Sequence, residues 1–407
     1  MGPLHGIRII DMTSVLMGPV ATQALGDMGA DVIKIEAPQG DLVRQIGPSR
    51  HAGMGAMFLH ANRSKRSVVL DLKKPAGLKV LHRLLADADV LVYNVRPNAM
   101  ARLGLDYETV AALNSRIVYA GLFGFGQDGP YAARPAYDDL IQGASTLSSL
   151  LARSGDGTPR YVPTAMADRI VGLTAVSGIL ATLLERQRTG RGQRLDVPMF
   201  ETMVAFVLGD HMGGLTYEPP LDQGGYARQL SPERRPYRTQ DGYVCALVYN
   251  DQQWDRFVRA VGREELLSDP RFADFAGRSR HVDAVGRELA RMFETRTTAQ
   301  WIALLNEADV PVMPMHDLHS VLTDPHLAAT GFFSIVEHPS EGAIRSMRVP
   351  MTWSETSAQP IRQAPRLGEH SVEVLQQAGF TPQEIDALIA DGVLQAGTPS
   401  ETGRGNG

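Results

Sequence analysis

Four short apolar runs set the frame for this chain: "IRIID" (7–11), "DVIKIE" (31–36), "DVLVYN" (89–94) and "RIVYAGL" (116–122). Runs of this length, rich in Val and Ile, read as strands. Between them lie stretches with helical periodicity, "VATQALGDMGA" (20–30) and "PAGLKVLHRLLADA" (75–88), the second with Pro75 in its first turn. Strands that alternate with helices can close a core only as a parallel, doubly wound sheet, so the fold class is α/β. No G-x-G-x-x-G follows the first run. The dinucleotide fingerprint is therefore missing, and no nucleotide redox cofactor is expected.

The pattern changes after about residue 200. "GGLTYEPPLDQGGYARQLSPERRP" (213–236) is rich in turn residues and reads as a connector. A strand, "GYVCALV", and three amphipathic stretches, "DQQWDRFVRAVG", "HVDAVGRELARMFET" and "TTAQWIALLNEA", then predict a smaller α/β domain. Short strands return in "FFSIVEHPSEGAIRSMRVPMTW", and a helix pair follows in "SVEVLQQAG" and "TPQEIDALIADG". The division expected is a large domain over 1–200, a linker over 201–230, a small domain over 231–330, a return to the large domain over 331–395, and a disordered tail over 396–407. A net charge of −5 speaks against nucleic acid as the main partner. The lone Cys245 excludes an intrachain disulfide and suits a reducing, cytoplasmic setting. The start lacks a signal-peptide layout, and the longest uncharged run is interrupted by Gly172, Thr174, Ser177 and Gly178, which argues against a membrane span.

That run carries the main question. From Ile170 to Leu184 there is no charge, yet Asp168 stands at its head. The stretch reads as a helix, apolar on all sides and so buried, with Arg186, Arg188 and Gly190 at its end. Asp168 then either caps the helix or does chemistry as a nucleophile. Both fit, since a helix N-terminus favours the ionised acid. A second candidate is "NRSKRSVVLDLKK", where Arg63, Lys65, Arg66, Lys73 and Lys74 form a positive patch that suits a polyanion or is simply a solvated face. Arg96 and Arg102 follow the third run, where ligands of open α/β sheets bind. The Gly-rich "GLFGFGQDGPYAARPAYDDLIQG" either admits a ligand close to the backbone or is a plain turn. "HDLH" (His316 to His319) fits no standard metal spacing and reads as the start of a surface helix. No metal is expected.

Taken together and in order, "GIRIIDMTSVLMGPVATQALGDMGADVIKIE", "NRSKRSVVLDLKK", "NVRPNAMARLGLDY", "GFGQDGPYAARPAYDDLIQ", "TGRGQRLDVPMFE" and "PRLGEHSVEVLQQAGFT" resemble the class III (CaiB/BaiF-type) CoA-transferases. The resemblance spans most of the chain. It implies a Rossmann-like large domain with a parallel sheet built from both chain ends, a smaller α/β domain, and an interlocked homodimer. It implies transfer of CoA from an acyl-CoA thioester to a free carboxylic acid through an enzyme aspartate, which here is Asp168 in "AMADR". Coenzyme A would be the co-substrate. By position its contacts are Leu16 and Met17; Leu70, Asp71, Leu72 and Lys73; Asn94, Val95 and Arg96; Arg102, a phosphate-facing arginine; and Arg134, Pro135, Ala136 and Tyr137 beside the thiol end.

The chain departs from the family pattern in places. Ala37 stands where some members carry a basic residue. Leu16 stands where the formyl/oxalyl type has Gln, and only "QGGYARQ" matches that type's glycine run, which points away from oxalate. The related α-methylacyl-CoA racemases need a His–Asp pair and resemble "GHD" where this chain reads Ala136, Tyr137, Asp138, so Tyr137 argues against racemisation. A non-catalytic CoA-binding protein is the third reading, and the retained Asp168 argues against it.

Overall fold

The computed structural model describes residues 1–397, so most of the expected tail lies outside the described residues. The chain forms two compact units. The first comprises residues 1–145, 162–205 and the return from residue 329, and the second residues 146–161 and 206–328. The sequence reading assigned 146–161 to the large domain, but this segment packs with the second unit. Its helical pattern carries no sign of which core it joins.

The first unit runs β1 (Arg8–Met12), α1 (Met17–Asp27), β2 (Asp31–Glu36), β3 (Lys65–Leu70), α2 (Pro75–Ala86), β4 (Val90–Tyr93), α3 (Pro97–Arg102), β5 (Val118–Phe123), α4 (Asp138–Ala144), α5 (Met166–Thr189) and β6 (Arg194–Pro198). The second unit contains β7 (Tyr237–Arg238), β8 (Tyr243–Ala246), α6 (Asp251–Val261), α7 (Val282–Phe293), α8 (Thr298–Glu307) and β9 (Val312–Pro314). The return adds the hairpin β10 (Phe333–His338) and β11 (Gly342–Met347), then α9 (Ser371–Gln377), α10 (Pro382–Ala390) and β12 (Leu394–Gln395).

The large sheet has the order β12-β3-β2-β1-β4-β5-β6. β1 to β6 are parallel, and β12 pairs antiparallel with β3, Leu394 opposite Leu70. This is the doubly wound arrangement that the alternating pattern demands. β2, β4 and β5 are buried along nearly their whole length, which explains their apolar runs. α2 lays Val80, Leu81, Leu84 and Leu85 on the sheet, among a core that includes Ile10, Ile33 and Leu91. The second unit packs Trp254, Phe257, Phe293 and Trp301 between its helices and a three-stranded antiparallel sheet, with the Phe293 and Trp301 rings 4.5 Å apart. Capping boxes at Asn250–Gln253 and Thr297–Gln300 start α6 and α8, each satisfying two otherwise orphaned N–H groups.

α5 differs from expectation in two ways. It buries Val171, Ala175 and Ile179 but leaves Leu173 and Leu184 exposed, so it is covered on one side only within the chain. Its 24 residues are also long and apolar enough, by length and composition, to cross a membrane. The uncharged run 170–184 is shorter than the helix, which extends past it at both ends. Half of its apolar window is buried inside the chain. α5 lies close against α1: a Cβ on Gly172 would sit 2.7 Å from the Met17 carbonyl oxygen. The C-terminus is closed as the sequence predicts, with Gly190 at φ +74° donating its N–H to the Arg186 carbonyl.

Candidate active site

β1 and β4 are neighbours, yet the strand order runs outward from them in opposite directions. The loops leaving their C-terminal ends diverge, and a crevice opens where ligands of such sheets bind. A cavity of about 240 Å³ occupies it. Ser14, Val15 and Met17 wall it after β1, Asn94 and Arg96 after β4, and Asp168 from α5. The loop after β5 closes it with Arg134, Pro135, Ala136 and Tyr137. Pockets that enclose drug-sized ligands measure roughly 300–1,000 Å³, so this cavity suits a reacting group better than a whole nucleotide.

Asp168 is the third residue of α5, and Ala165 is the N-cap, with no side-chain cap bond. The capping reading is therefore corrected: the acid sits inside the first turn and caps nothing. Its N–H donates to Asp138 Oδ1 at 2.9 Å. No hydrogen-bond partner for its carboxyl occurs among the described residues. Burial, then the charge of Asp138, push its pKa up to about 7 against the smaller pull of Arg169. The sequence predicts an acid that the helix N-terminus keeps ionised at neutral pH. The helix end contributes only a partial charge, and desolvation plus a like charge outweigh it.

Asp138 is itself held in place. Gln142, one turn along α4 and fully buried, donates Nε2 to Asp138 Oδ2 at 2.6 Å and to the Thr164 carbonyl at 3.2 Å. Its Oε1 accepts the Val162 N–H at 2.8 Å. α4 thus fastens the segment that leads into α5 and sets the position of Asp168. In the sequence Asp138 stands out only as the acid of the racemase-type pair, and Gln142 does not stand out at all. The visible signal was their i, i+4 spacing, at which Asp and Gln meet on a helix.

Of the other expected contacts, Met17, Asn94, Arg96, Arg134, Pro135, Ala136 and Tyr137 join Asp168 around the cavity. The rest do not line it. Leu16 packs its side chain into a small core with Val43, Phe58 and Ala61. Leu70 is buried in the main core, and Leu72 and Val95 pack against that core. Asp71 accepts the Lys73 N–H at 3.0 Å, while Lys73 itself is exposed beyond β3. Arg102 is exposed at the end of α3. Exposed Lys73 and Arg102 remain open to a ligand that extends from the crevice over the surface. Val15, Phe123 and Gln127 line the cavity without any sequence signal of their own.

The basic patch is mostly spent inside the protein. Lys65 is fully buried, 3.1 Å from Asp11. Arg66 pairs with Asp31 and Glu373, and Arg63 with Asp27. Lys74 donates to the carbonyls of Asp391 and Gly392. Of the five, only Lys73 has neither an ion pair nor a side-chain hydrogen bond among the described residues, so most of the patch's charge is satisfied within the chain and Lys73 alone faces outward. In the Gly-rich loop Gly124 both lines the cavity and packs tightly, since a Cβ there would come within 2.2 Å of the Ala136 Cβ. At "HDLH" the Asp317 carboxylate accepts the N–H groups of His319 and Ser320 and starts a short surface turn.

A match to CoA-transferase family III covers residues 4–371. The chain belongs to that family. The family III chain is 35% identical over 389 residues to the succinate–glutarate CoA-transferase of Agrobacterium fabrum (strain C58 / ATCC 33970), covering 92% of this chain and 95% of that one. It is 30% identical to the succinyl-CoA:glutarate CoA-transferase of Homo sapiens, over 96% of this chain and 90% of that protein. Among solved structures, a CaiB/BaiF family protein from Brucella suis matches with a TM-score of 0.79 and 31% identity, over 93% of this chain and 99% of that one. The protein is a class III CoA-transferase, with coenzyme A as its co-substrate.

Proposed function

We propose that Asp168 carries the acyl group and then CoA through the reaction, and that the acids exchanged are short dicarboxylates. The observation that carries the first part is the Asp168 carboxyl group, without a hydrogen-bond partner among the described residues, facing a small cavity at the switch point of the sheet. The Asp168 carboxylate attacks the donor thioester, and the carbon–sulfur bond breaks to leave an acyl–aspartyl anhydride and the CoA thiolate. The thiolate attacks the aspartyl carbonyl, releasing the first acid and leaving CoA as a thioester on Asp168. The acceptor carboxylate attacks that carbonyl, forming a second anhydride and freeing the thiolate. The thiolate then attacks the acceptor's carbonyl, which yields the product thioester and regenerates Asp168. Anhydride and thioester are exchanged at each step, so no net oxidation and no external energy source is needed. Backbone N–H groups at the cavity would stabilise the oxyanions.

The dicarboxylate part is supported by relatives named for succinate and glutarate. Arg96 and Arg134 line the cavity without a carboxylate partner among the described residues. Each is free to meet a second carboxylate or a CoA phosphate. The cavity wall has no histidine among the described residues, and Tyr137 stands exposed where a racemase base would be needed. We further propose that two copies form an interlocked dimer in the cytoplasm. The uncovered apolar side chains of Tyr137, Leu140, Leu173 and Leu184 support a partner surface, and the single free Cys245 suits a reducing compartment.

The test incubates the protein with succinyl-CoA and hydroxylamine and maps the adduct by peptide mass spectrometry. The expected product is a hydroxamate on Asp168, with glutarate outcompeting acetate as acceptor in the unmodified enzyme. Asp168→Ala that keeps more than a few per cent of transfer would sink the nucleophile assignment. Sedimentation of a folded, active species near 44.2 kDa at nanomolar concentration would reject the obligate dimer.

A further inference from the structure

Val15, which walls the Asp168 cavity, has φ +69°. A β-branched residue in the left-handed region is strained, and it persists only where its surroundings over-determine it. Here they do. The Val15 N–H donates to Asp41 Oδ1 at 3.0 Å. The same Oδ1 accepts the Val43 N–H at 3.1 Å, and Oδ2 accepts Lys34 Nζ at 2.9 Å. Lys34 Nζ also donates to the Thr13 carbonyl at 2.7 Å, just before the turn. On the other flank Asn94 clasps Ser14 twice, accepting its N–H at 3.0 Å and donating to its carbonyl at 2.9 Å.

Both charged members are buried: the Lys34 side chain is 0% and the Asp41 side chain 1% exposed. Burial would lower the Lys34 pKa, but Asp11, Asp41 and Glu36 raise it, so it stays charged. Around them Arg44 grips Glu36 through two bonds of 2.7 Å, and Glu36 Oε2 accepts the Asp41 N–H at 3.1 Å. A buried ion pair is weak evidence for stability alone. This one is aimed at a single strained peptide in the wall of the site. The turn also feeds α1, whose Met17 carbonyl lies against Gly172 of α5, one turn from Asp168.

We propose that the buried Lys34–Asp41 pair is a positioning device for the transfer reaction: it holds the Val15 turn left-handed and thereby sets the cavity wall and the seat of the Asp168 helix. The proposal rests on the assignment of that cavity to CoA transfer. In Asp41→Asn an amide N–H₂ must face either Lys34 or the Val15 and Val43 N–H groups. Val15 is then free to relax to negative φ, and the wall shifts. Glycine has no left-handed penalty, so Val15→Gly should let the turn keep its shape without Asp41.

The experiment compares the unmodified enzyme, Asp41→Asn, Val15→Gly and the double variant for kcat, KM for succinyl-CoA and thermal midpoint. Loss of the turn should lower kcat/KM in Asp41→Asn by roughly tenfold or more, with the change larger in kcat than in KM. The double variant should recover to within about threefold of Val15→Gly alone. A lowered midpoint with kcat/KM unchanged would make the pair merely structural and overturn the proposal, as would a double variant that shows no recovery. If Asp41→Asn does not fold, hydrogen exchange on the unmodified protein decides. The Val15 amide should be as protected as those of β1, and fast exchange would refute the clamp. Asp168→Ala runs in parallel: retained transfer there defeats the nucleophile reading, whatever Asp41→Asn does.

Discussion

Replacing Asp138 with Asn should move the acid limb of the transfer reaction. Asp138 Oδ1 accepts the Asp168 N–H, so its charge lies beside the acid that faces the cavity. The Asp168 pKa rises from 3.8 to about 7, with burial the larger cause and Asp138 the second. Asp138 is the second of the two causes that raise it, so removing its charge should take back part of the rise and leave the part due to burial. Coulomb's law sets the scale for neighbouring carboxylates: two like charges roughly 6 Å apart at an effective dielectric of ~20–40 repel by about 1.4–2.8 kcal/mol, or about one to two pH units. Asn keeps an oxygen to accept the Asp168 N–H and loses the charge. The nucleophile must be ionised, and kcat/KM reports ionisations of the free enzyme. In the unmodified protein kcat/KM should fall tenfold per pH unit below about 7. In Asp138→Asn the break should come about one pH unit lower, with Asp168 ionised over a wider range. CoA's own phosphate ionisation appears in both profiles and cancels in their ratio. An unmoved break, or one displaced to higher pH, would refute the charge-coupling argument.

The raised pKa has a stability consequence, with the sign set by the unfolded value of 3.8. The folded state holds the proton more tightly, so this group's contribution is complete below pH 3.8 and is lost as pH rises through about 7. Asp168→Asn should accordingly stabilise the protein at pH 8 by roughly 1–4 kcal/mol, the upper end being reduced by partial solvent exposure, and by little at pH 4; urea unfolding at the two pH values measures it. Gly172→Ala should cost about 1–3 kcal/mol of stability and slow transfer, since its Cβ would lie 2.7 Å from the Met17 carbonyl oxygen; an unchanged thermal midpoint would show that α1 and α5 can separate freely. Arg96→Ala should raise KM for acyl-CoA roughly tenfold, less at 0.5 M salt than at 0.05 M; a salt-independent change would exclude a charge-assisted contact.

Much of the architecture was legible because it depends on local pattern. The runs 31–36 and 89–94 contain β2 and β4 almost to the residue, and Pro75 opens α2 as its missing N–H allows. The capping box Thr381–Glu384 starts α10 within the stretch read as the last helix. Reading charge along the chain worked less well. Lys65 and Arg66 look like members of a surface patch until the sheet sets them beside Asp11 and Asp31. Burial pulls Lys65 down to about 8, and the neighbouring Lys65 and Lys34 hold Asp11 at about 2 despite its own burial, so both stay charged at neutral pH. No spacing within residues 63–74 could reveal partners 35 or more positions away.

Asp168 marks the boundary between the two kinds of knowledge. Its presence at the head of a long uncharged helix was written in the chain, because helix-forming periodicity and end signals are local. So were the alternation of strand and helix and, through it, the parallel sheet whose switch point opens the cavity. The position of Asp168 in the first turn of α5, its bond to Asp138 and its pKa near 7 were decided by tertiary structure alone. So was the strained turn at Val15, clasped by Asp41 from 26 positions away and by Asn94, which meets Ser14 across 80. Protonation and strain are set by which charges and acceptors surround a group, and by how much water has left it. Those surroundings exist only once distant segments have met.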